Sequence, residues 1–236
     1  EIFLRQMIES LEKQSYENWE LVIGNASPED ETMARILKEY TGKDPRVKNV
    51  PIPENIGIAE NTNAALAAAA GNFVGFMDHD DLLAPDALFE IAIRLEKDLS
   101  IDAFYTDEDK VRTDLSEYFQ PHFKPDFNLD LLRSNNYICH FFVVRREIAE
   151  KPAAFVRNTM GRRIMIISSA ARKWREKLYT FREFYITGGS TALPPQTIRQ
   201  ASCTRMRPEK RQLRETLRAA AKREPSHCVR IMASTM

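Results

Sequence analysis

A short apolar segment that ends in three carboxylates constrains this chain more than any other feature. Phe73 to Met77 is a continuous apolar run, which is typical of a strand buried on both faces of a parallel sheet. Asp78, Asp80 and Asp81 follow at its carboxyl end, the edge where open α/β sheets bind ligands. Crowded carboxylates raise one another's pKa unless a cation or a hydrogen-bond donor lies among them. Because Asp78 and Asp80 can point into one coordination sphere, they predict a site for Mg²⁺ or Mn²⁺.

The same carboxylates have a second interpretation. Ala84, Pro85 and Asp86 open the next predicted helix, and acidic residues are favoured near helix N-termini. The acidic turn is therefore either a metal site or an acidic helix start.

Strands and helices alternate along the first part of the chain, which indicates an α/β fold with a parallel, doubly wound sheet. The predicted helices run from Phe3 to Leu11, Pro28 to Tyr40, Ile58 to Ala70, after Pro85, and Phe127 to Arg133. The predicted strands are Trp19 to Gly24, Val47 to Ile52 at an edge, Phe73 to Met77, Asp102 to Tyr105, and Tyr137 to Val144. After Tyr105 the alternation gives way to a long loop rich in Asp, Phe and Pro, and such loops commonly carry function.

The charge of the chain changes sign along its length. Residues 1–152 hold 16 Lys and Arg against 29 Asp and Glu, whereas residues 153–236 hold 18 against 5. We therefore expect two parts, an α/β domain over 1–152 and a basic, irregular tail over 153–236 that is poorly ordered or helical. Three widely spaced cysteines and the lack of a long apolar run predict a reducing, cytoplasmic location without a membrane span.

Several motifs occur in a fixed order over residues 1 to about 150. They are Ile8-Glu9-Ser10-Leu11, Gln14 to Leu21, Asn55-Ile56-Gly57 with Thr62-Asn63, Asp78-His79-Asp80-Asp81, Tyr105 to Lys110, Phe123 to Asp126, and Asn136 to His140. In this order they resemble the family 2 glycosyltransferases, in particular the bacterial enzymes of cell-surface polysaccharide assembly. The resemblance implies a Rossmann-like GT-A three-layer sandwich with a mostly parallel sheet, here incomplete.

The resemblance also implies a donor site. Asp78 and Asp80 would form the DXD motif, in which Mn²⁺ or Mg²⁺ offsets the charge that develops on a departing nucleoside diphosphate. The residues implied to line the donor pocket are Asn25, Asn55, Gly57, Thr62, Asn63, Asp78 and Asp80. Asn25 stands where the family usually has an Asp that contacts the nucleotide base. On its own, the Asn55 to Asn63 segment is equally well a plain turn and helix start.

The remaining candidates are implied to lie on the acceptor side. They are Asp107, Glu108, Asp109, Asn136 and His140. Without the resemblance, the three acidic residues are a solvated loop after a strand, and a histidine in an apolar run is more often a core residue.

Two features of the family are missing from the sequence. The first strand should precede the Phe3 helix, and its loss would leave two central neighbours with unpaired edges. The acidic general base, which typically contributes roughly 10²–10⁴-fold in rate, has no candidate because there is no Asp after Asp130. We expect that a frameshift near residue 155 replaced the original C-terminal part. The alternative is a basic arm, with a helix from Pro208 to Ala220, that associates peripherally with anionic lipid at the inner face of the plasma membrane.

The sequence therefore predicts metal-dependent transfer of a sugar from a nucleotide-sugar donor to a hydroxyl of a glycan or lipid-linked glycan, with no nucleic-acid partner. The alternative is a catalytically inactive remnant that binds nucleotide or a partner without turnover. A sugar-phosphate nucleotidyltransferase is disfavoured, since its Gly-rich, basic phosphate loop is not found near the start.

Overall fold

The described residues form a β-sheet that carries helices on both faces. The computed structural model describes residues 1–55, 57–150, 178–190 and 229–235. The helices are α1 (Ile2–Glu12), α2 (Glu31–Lys43), α3 (Ile58–Ala68), α4 (Ala87–Lys97), α5 (Leu129–Ser134) and α6 (Arg146–Ala149). The strands are β1 (Trp19–Asn25), β2 (Val47–Pro51), β3 (Phe73–Asp78), β4 (Asp81–Leu83), β5 (Ala103–Arg112), β6 (Tyr118–His122), β7 (Phe142–Arg145), β8 (Leu178–Ser190) and β9 (Val229–Thr235).

Two of the described helices, α2 and α5, begin after a residue whose side chain caps the first turn. The predicted helix at Pro28 begins three residues later, at Glu31. The Asp30 side chain causes this shift, because it accepts hydrogen bonds from the backbone N–H groups of Thr32 and Met33 and so acts as the N-cap.

The strand order is β2-β1-β9-β3-β7-β5-β8-β4, and β6 pairs with β5. From β2 to β3 the strands are parallel, and β2 lies at the edge as predicted. Beyond β3 the sheet is mixed, because β7 is antiparallel to both β3 and β5, and β4 is antiparallel to β8. The predicted α/β class is confirmed, but the sheet is mixed rather than mostly parallel.

The position between β1 and β3 is occupied by β9. Its residues pair in parallel with β1, from Trp19 opposite Val229 to Asn25 opposite Thr235, and they pair in parallel with β3 on the other side. The side chain of Ile231 is fully buried in the core at this position. The expectation that two central strands would have unpaired edges was therefore wrong, because a segment from far later in the sequence lies between them.

Neither β8 nor β9 was predicted, because the sequence after residue 152 has only weak periodicity. The helix predicted from Pro208 to Ala220 lies outside the described residues, and so does the predicted boundary between residues 152 and 153. The division into two parts stays a prediction.

The acidic triplet after Tyr105 is part of a strand and not of a loop. β5 continues to Arg112 because its outer half pairs with β6 on one side and with β8 on the other. The predicted strand from Tyr137 begins only at Phe142, so His140 lies in the loop that precedes β7.

The core lies on both faces of the sheet, as a three-layer sandwich requires. Along β3, Phe73 and Met77 face one hydrophobic cluster, whereas Val74 and Phe76 face the other. Gly75 lies under the Phe141 ring, since a Cβ at this glycine would lie 2.7 Å from two Phe141 ring atoms. This close approach seats the His140 loop against the carboxyl half of β3.

No helix within the described ranges is both long enough and apolar enough to cross a lipid bilayer.

Candidate active site

The carboxyl ends of three parallel strands meet at one edge of the sheet. In the strand register, Asn25 at the end of β1 lies opposite Thr235 of β9, and Asp78 at the end of β3 lies opposite Ser234. The register therefore places Asn25 and Asp78, two of the residues that the family resemblance implies for the donor pocket, at the same edge of the sheet. This edge is the usual ligand side of an open α/β sheet.

Two carboxylates and one imidazole come together beside this edge; we call Asp78, Asp81 and His140 the Asp81 group. The Nε2 atom of His140 lies 3.3 Å from Oδ2 of Asp78, and its Nδ1 atom lies 3.6 Å from Oδ2 of Asp81. The backbone N–H of Asp78 donates to Oδ2 of Asp81 at 3.2 Å. One ligand atom from each of the three residues lies within 4.8 Å of the other two, a spacing that a single metal ion can bridge.

The electrostatics of the Asp81 group favour a cation. Burial raises the pKa of Asp81, the Asp78 carboxylate raises it further, and the result is a pKa of about 8. A bound divalent ion would relieve both penalties, because it replaces lost hydration and offsets the repulsion between the carboxylates. The predicted ligand Asp80 lies in the turn between β3 and β4 and is not a member of this group. Its role as a ligand stays a prediction.

A cavity of about 400 Å³ opens beside the Asp81 group. Its lining residues are Asp81, Glu108, Asp109, Lys110, Gln120, His122 and His140. The structure thus brings together three of the predicted acceptor-side residues, Glu108, Asp109 and His140, and places them next to the metal candidate. The alternative for His140, a histidine enclosed in the core, does not apply, because 28% of its side chain is exposed.

Two residues of the cavity lining, Glu108 and His122, belong to a second charged cluster that also includes Lys124; we call Glu108, His122 and Lys124 the Glu108 group. The two oxygens of Glu108 have different partners: Oε1 lies 3.0 Å from Nδ1 of His122, and Oε2 accepts from Nζ of Lys124 at 3.0 Å. The Lys124 side chain is fully buried, and its Nζ also donates to the carbonyl oxygens of Ile138 and His140. Lys124 therefore ties β5 to the loop that carries His140.

Burial raises the pKa of Glu108, but the Lys124 ammonium and His122 outweigh it and hold the pKa below its usual range. Burial lowers the pKa of Lys124, although the Glu108 carboxylate opposes this shift. Glu108 is consequently a carboxylate at neutral pH, with its charge compensated inside the protein.

Asp107 has a structural position rather than a place on the cavity wall. Its side chain is buried, and its Oδ1 accepts from the backbone N–H of Lys124 at 2.7 Å. Asn136 lies in the loop before β7, where its Oδ1 accepts from the backbone N–H of Cys139. Both residues hold the segments that frame the cavity.

The predicted donor residues lie at the start of α3 and at the end of β1. Asn25 is buried, and its Oδ1 accepts from the backbone N–H of Ser27. Asn55 Oδ1 accepts from the backbone N–H of Gly57 and from Nδ2 of Asn61. Gly57 has a φ of 110°, a backbone conformation that favours glycine. Thr62 is buried and Asn63 is exposed on α3.

Sequence reasoning missed three residues of the site, Asp81 as a ligand candidate, His122 and Lys124. His122 and Lys124 lie within the Phe119 to Pro125 segment that was expected to carry function, but only the β5–β6 pairing places His122 opposite Glu108, and Lys124 follows directly after β6. The signal in the sequence was a single histidine and a single lysine in an apolar, proline-containing loop, which does not identify partners 14 and 16 residues away.

Comparison with known proteins gives the family. The family model described as Glycosyl transferase family 2 matches residues 1–151. The O-antigen biosynthesis protein RfbC of Myxococcus xanthus is 37% identical over 147 residues, which is 62% of this chain and 12% of that protein. A chondroitin synthase of Pasteurella multocida is 32% identical over 145 residues, which is 61% of this chain and 15% of that protein. The chain thus spans about a sixth or less of the length of these relatives.

Solved structures show the same fold. Staphylococcus aureus TarS residues 1–349 in complex with UDP superposes with a TM-score of 0.59 at 17% identity, over 79% of this chain and 56% of that chain. The complex of the same protein with UDP-GlcNAc gives a TM-score of 0.60 at 17% identity, over 92% of this chain and 62% of that chain. This likeness establishes the GT-A-like fold, and the match of the family model over more than half of the sequence shows that the chain belongs to glycosyl transferase family 2.

Proposed function

We propose that this chain binds a nucleotide diphosphate-sugar at the carboxyl edge of its sheet and transfers the sugar to a hydroxyl of a cell-surface glycan. The observation that carries the proposal is the Asp81 group, two carboxylates and an imidazole at the end of the central strand, open to a 400 Å³ cavity. A leaving diphosphate needs positive charge at this point, and a sugar acceptor needs room beside it.

The donor set of the Asp81 group fits a divalent ion. Carboxylate oxygens suit both Mg²⁺ and Mn²⁺, and the imidazole of His140 favours a first-row transition ion, so Mn²⁺ is the better candidate. Asp78, Asp81 and His140 would hold the ion, with Asp80 as a further ligand that the sequence predicts. When bound, the ion would supply Lewis-acid stabilisation of the departing diphosphate.

The donor is proposed to be a uridine diphosphate-sugar, because TarS, which shares the fold, was solved with UDP and with UDP-GlcNAc. Asn25 would then face the base, and the α3 start with Asn55, Gly57, Thr62 and Asn63 would line the pocket. Asn25 offers both a donor and an acceptor but no charge. The peripheral contact with a membrane remains a prediction from the basic tail.

Binding without turnover is a second candidate function. One observation favours it: the sequence after Asp130 has no Asp to serve as the acidic base that the family resemblance implies. A chain of this kind would still bind UDP with a metal ion.

Calorimetry with UDP and UDP-GlcNAc, with and without Mn²⁺, tests the proposal. We expect Mn²⁺ to tighten UDP binding at least about tenfold, and Asp81→Asn to remove that dependence. Asp80→Asn tests whether Asp80 binds the ion, as the predicted DXD motif requires. If Asp80 is a ligand, this variant loses the Mn²⁺ dependence of UDP binding, and if only the Asp81 group binds the ion, the dependence is kept. Glu117→Gln is the matched control, because Glu117 lies in the loop of the β5–β6 hairpin, pairs with Arg112 and is not among the residues that line the cavity. UDP binding that is indifferent to Mn²⁺ and to both variants would contradict the proposal.

A further inference from the structure

We infer that Lys124 is a positioning residue for the metal ion: it holds the backbone of the loop before β7 so that the His140 imidazole lies within the Asp81 group. The inference rests on the proposed function, because it concerns the ion that the Asp81 group would bind. It deepens that function by giving a role to a lysine that is not itself a member of the Asp81 group.

The Lys124 ammonium is surrounded by acceptors of the protein. Its side chain is fully buried, and its Nζ donates to Oε2 of Glu108 at 3.0 Å. The same atom donates to the carbonyl oxygen of Ile138 at 2.7 Å and to the carbonyl oxygen of His140. An ammonium group has three N–H donors, and these three acceptors use all of them. The donors of Lys124 are thus directed at the protein and not at a phosphate or a sugar.

The backbone of Lys124 is fixed as well as its side chain. Its N–H donates to Oδ1 of Asp107 at 2.7 Å, and the Asp107 side chain is buried. Asp107 and Glu108 are consecutive residues of β5, so the backbone and the ammonium of Lys124 are both attached to one strand of the sheet. A side chain held in this way is a rigid support for the groups that it binds.

The groups that Lys124 supports belong to the loop before β7. The side chains of Ile138 and Phe141 are fully buried on either side of His140 in the sequence, and the Phe141 ring packs closely on Gly75. These contacts fix the neighbours of His140, whereas the carbonyl bonds to Lys124 fix the backbone of His140 itself. Buried carbonyl groups that lose their donor are unfavourable, so without Lys124 we expect this backbone to move toward other donors.

The position of the His140 backbone determines where its imidazole lies. Nε2 of His140 lies 3.3 Å from Oδ2 of Asp78, and Nδ1 lies 3.6 Å from Oδ2 of Asp81. A displacement of about 1 Å is enough to spoil the geometry of a ligand set. Residues that orient a metal ligand from outside the coordination sphere typically contribute about 10–100-fold to metal affinity. Loss of Lys124 should therefore weaken metal binding although the ligands themselves are unchanged.

Mn²⁺ binding to the full chain at saturating UDP, followed by electron paramagnetic resonance of the free ion, tests the inference without a reaction. The double variant Glu108→Gln with Lys124→Met removes the ammonium together with its charge partner, so that neither charge is left buried alone. We expect it to bind Mn²⁺ about 10–100-fold more weakly than the wild type. Glu108→Gln alone keeps the ammonium and its two carbonyl acceptors and should lose less than about threefold in affinity. Glu117→Gln should match the wild type.

His140→Ala separates a positioning role from a general effect on the fold. If Lys124 acts through the imidazole, the triple variant that adds His140→Ala to the double variant should bind Mn²⁺ as weakly as His140→Ala alone. A merely structural role would lower the affinity by the same factor whether or not His140 is present. Thermal unfolding of each variant shows that the folded protein is being compared. If the double variant is unfolded, Glu108→Gln with Lys124→Gln repeats the cycle with an uncharged amide in place of the ammonium.

Three outcomes would overturn the inference. They are a folded double variant with the Mn²⁺ affinity of the wild type, equal losses of affinity with and without His140, and a loss in Glu108→Gln alone as large as in the double variant. A wild-type protein whose UDP binding is indifferent to Mn²⁺ identifies a different failure, that of the proposed function itself, and the inference fails with it.

Discussion

The Asp81 group and the Glu108 group both contribute residues to the lining of one cavity, and the pKa values of their carboxylates are shifted in opposite directions. In the Asp81 group, burial and the neighbouring Asp78 raise the pKa of a carboxylate to about 8. In the Glu108 group, burial acts in the same direction, but a buried lysine and a histidine reverse it and lower the pKa. The difference teaches that the Glu108 carboxylate has its counter-charge within the protein, whereas the raised pKa of Asp81 favours its protonated form at neutral pH. The proposed metal ion would supply the counter-charge that the Asp81 group lacks.

Removing the Lys124 ammonium, which is the counter-charge of Glu108, should have the largest effect on the stability of the protein. Lys124→Met would leave Glu108 as a buried carboxylate without its ammonium, and the carbonyl groups of Ile138 and His140 without a donor. We expect the free energy of unfolding, measured in urea, to fall by about 3–5 kcal/mol.

The double variant Glu108→Gln with Lys124→Met provides the control, because it removes both charges. It should be more stable than Lys124→Met alone. A Lys124→Met protein as stable as the wild type would contradict the view that Glu108 depends on its internal partner.

Removing a carboxylate from the other cluster should affect activity more than stability. If the proposed function holds, Asp81→Asn should lower Mn²⁺-dependent UDP release by at least about 10²-fold, because it removes a proposed ligand of the ion. The metal-free variant should be at least as stable as the wild type at pH 8, because the penalty for burying the charge disappears. A fall in metal-free stability would show that the Asp81 carboxylate already has adequate compensation within the protein.

The two clusters should also give pH dependences of opposite sign. The pKa of Asp81 is raised from 3.8 to about 8, so the folded, metal-free protein holds a proton that the unfolded chain has lost. Its free energy of unfolding should therefore fall as pH rises from about 4 to about 8, by at most about 1.4 kcal/mol per pH unit from this group. Over the same range, Mn²⁺ affinity should rise by up to about tenfold per unit, because the metal displaces the proton.

Glu108 provides the contrast, because its pKa is lowered from 4.5. Its stabilising contribution should be complete above that value and be lost as pH falls below it. Urea titrations of Asp81→Asn and Glu108→Gln against pH separate the two contributions. If Asp81→Asn does not flatten the slope between pH 4 and 8, the assignment of that slope to Asp81 is wrong.

An exposed carboxylate on the same hairpin should show the smallest effect. Glu117 pairs with Arg112 at 2.9 Å, and more than a third of each side chain is exposed. Because such ion pairs are well hydrated, Glu117→Gln should change the free energy of unfolding by less than about 0.5 kcal/mol. A larger fall in the free energy of unfolding, measured in urea, would mean that exposed charges on this hairpin stabilise the protein even where they do not line the cavity.

Much of the parallel half of the fold was predictable because its signals are local. Phe73 to Met77 is a continuous apolar run, which is typical of a buried strand, and the structure has a strand there whose residues 73–77 are all buried. The family resemblance identified Asp78 as a candidate metal ligand. The contacts of His140 with Asp78 and Asp81 were not predictable, because His140 lies in a loop about 60 residues further along the chain.

The rest of the site was not predictable from local pattern. β5 appeared to end at Tyr105, since polar residues follow, and only its pairing with β6 and β8 continues the strand through Glu108. His122 acquires its partner Glu108 through that same pairing, and Lys124, just beyond β6, reaches the other oxygen of Glu108. Periodicity in a single segment contains no information about which distant segment completes its hydrogen bonds.

The position of β9 has a consequence for how the molecule acquires its shape. β1 and β3 are made early, yet the strand that joins them is synthesised about two hundred residues after β1, and pairings this distant in sequence are slow to form. Until that segment arrives, the two flanking strands present open hydrogen-bonding edges to other chains in the cell. The nascent protein therefore has a long interval in which self-association competes with completion of its own sheet, and chaperone dependence during synthesis should be correspondingly high.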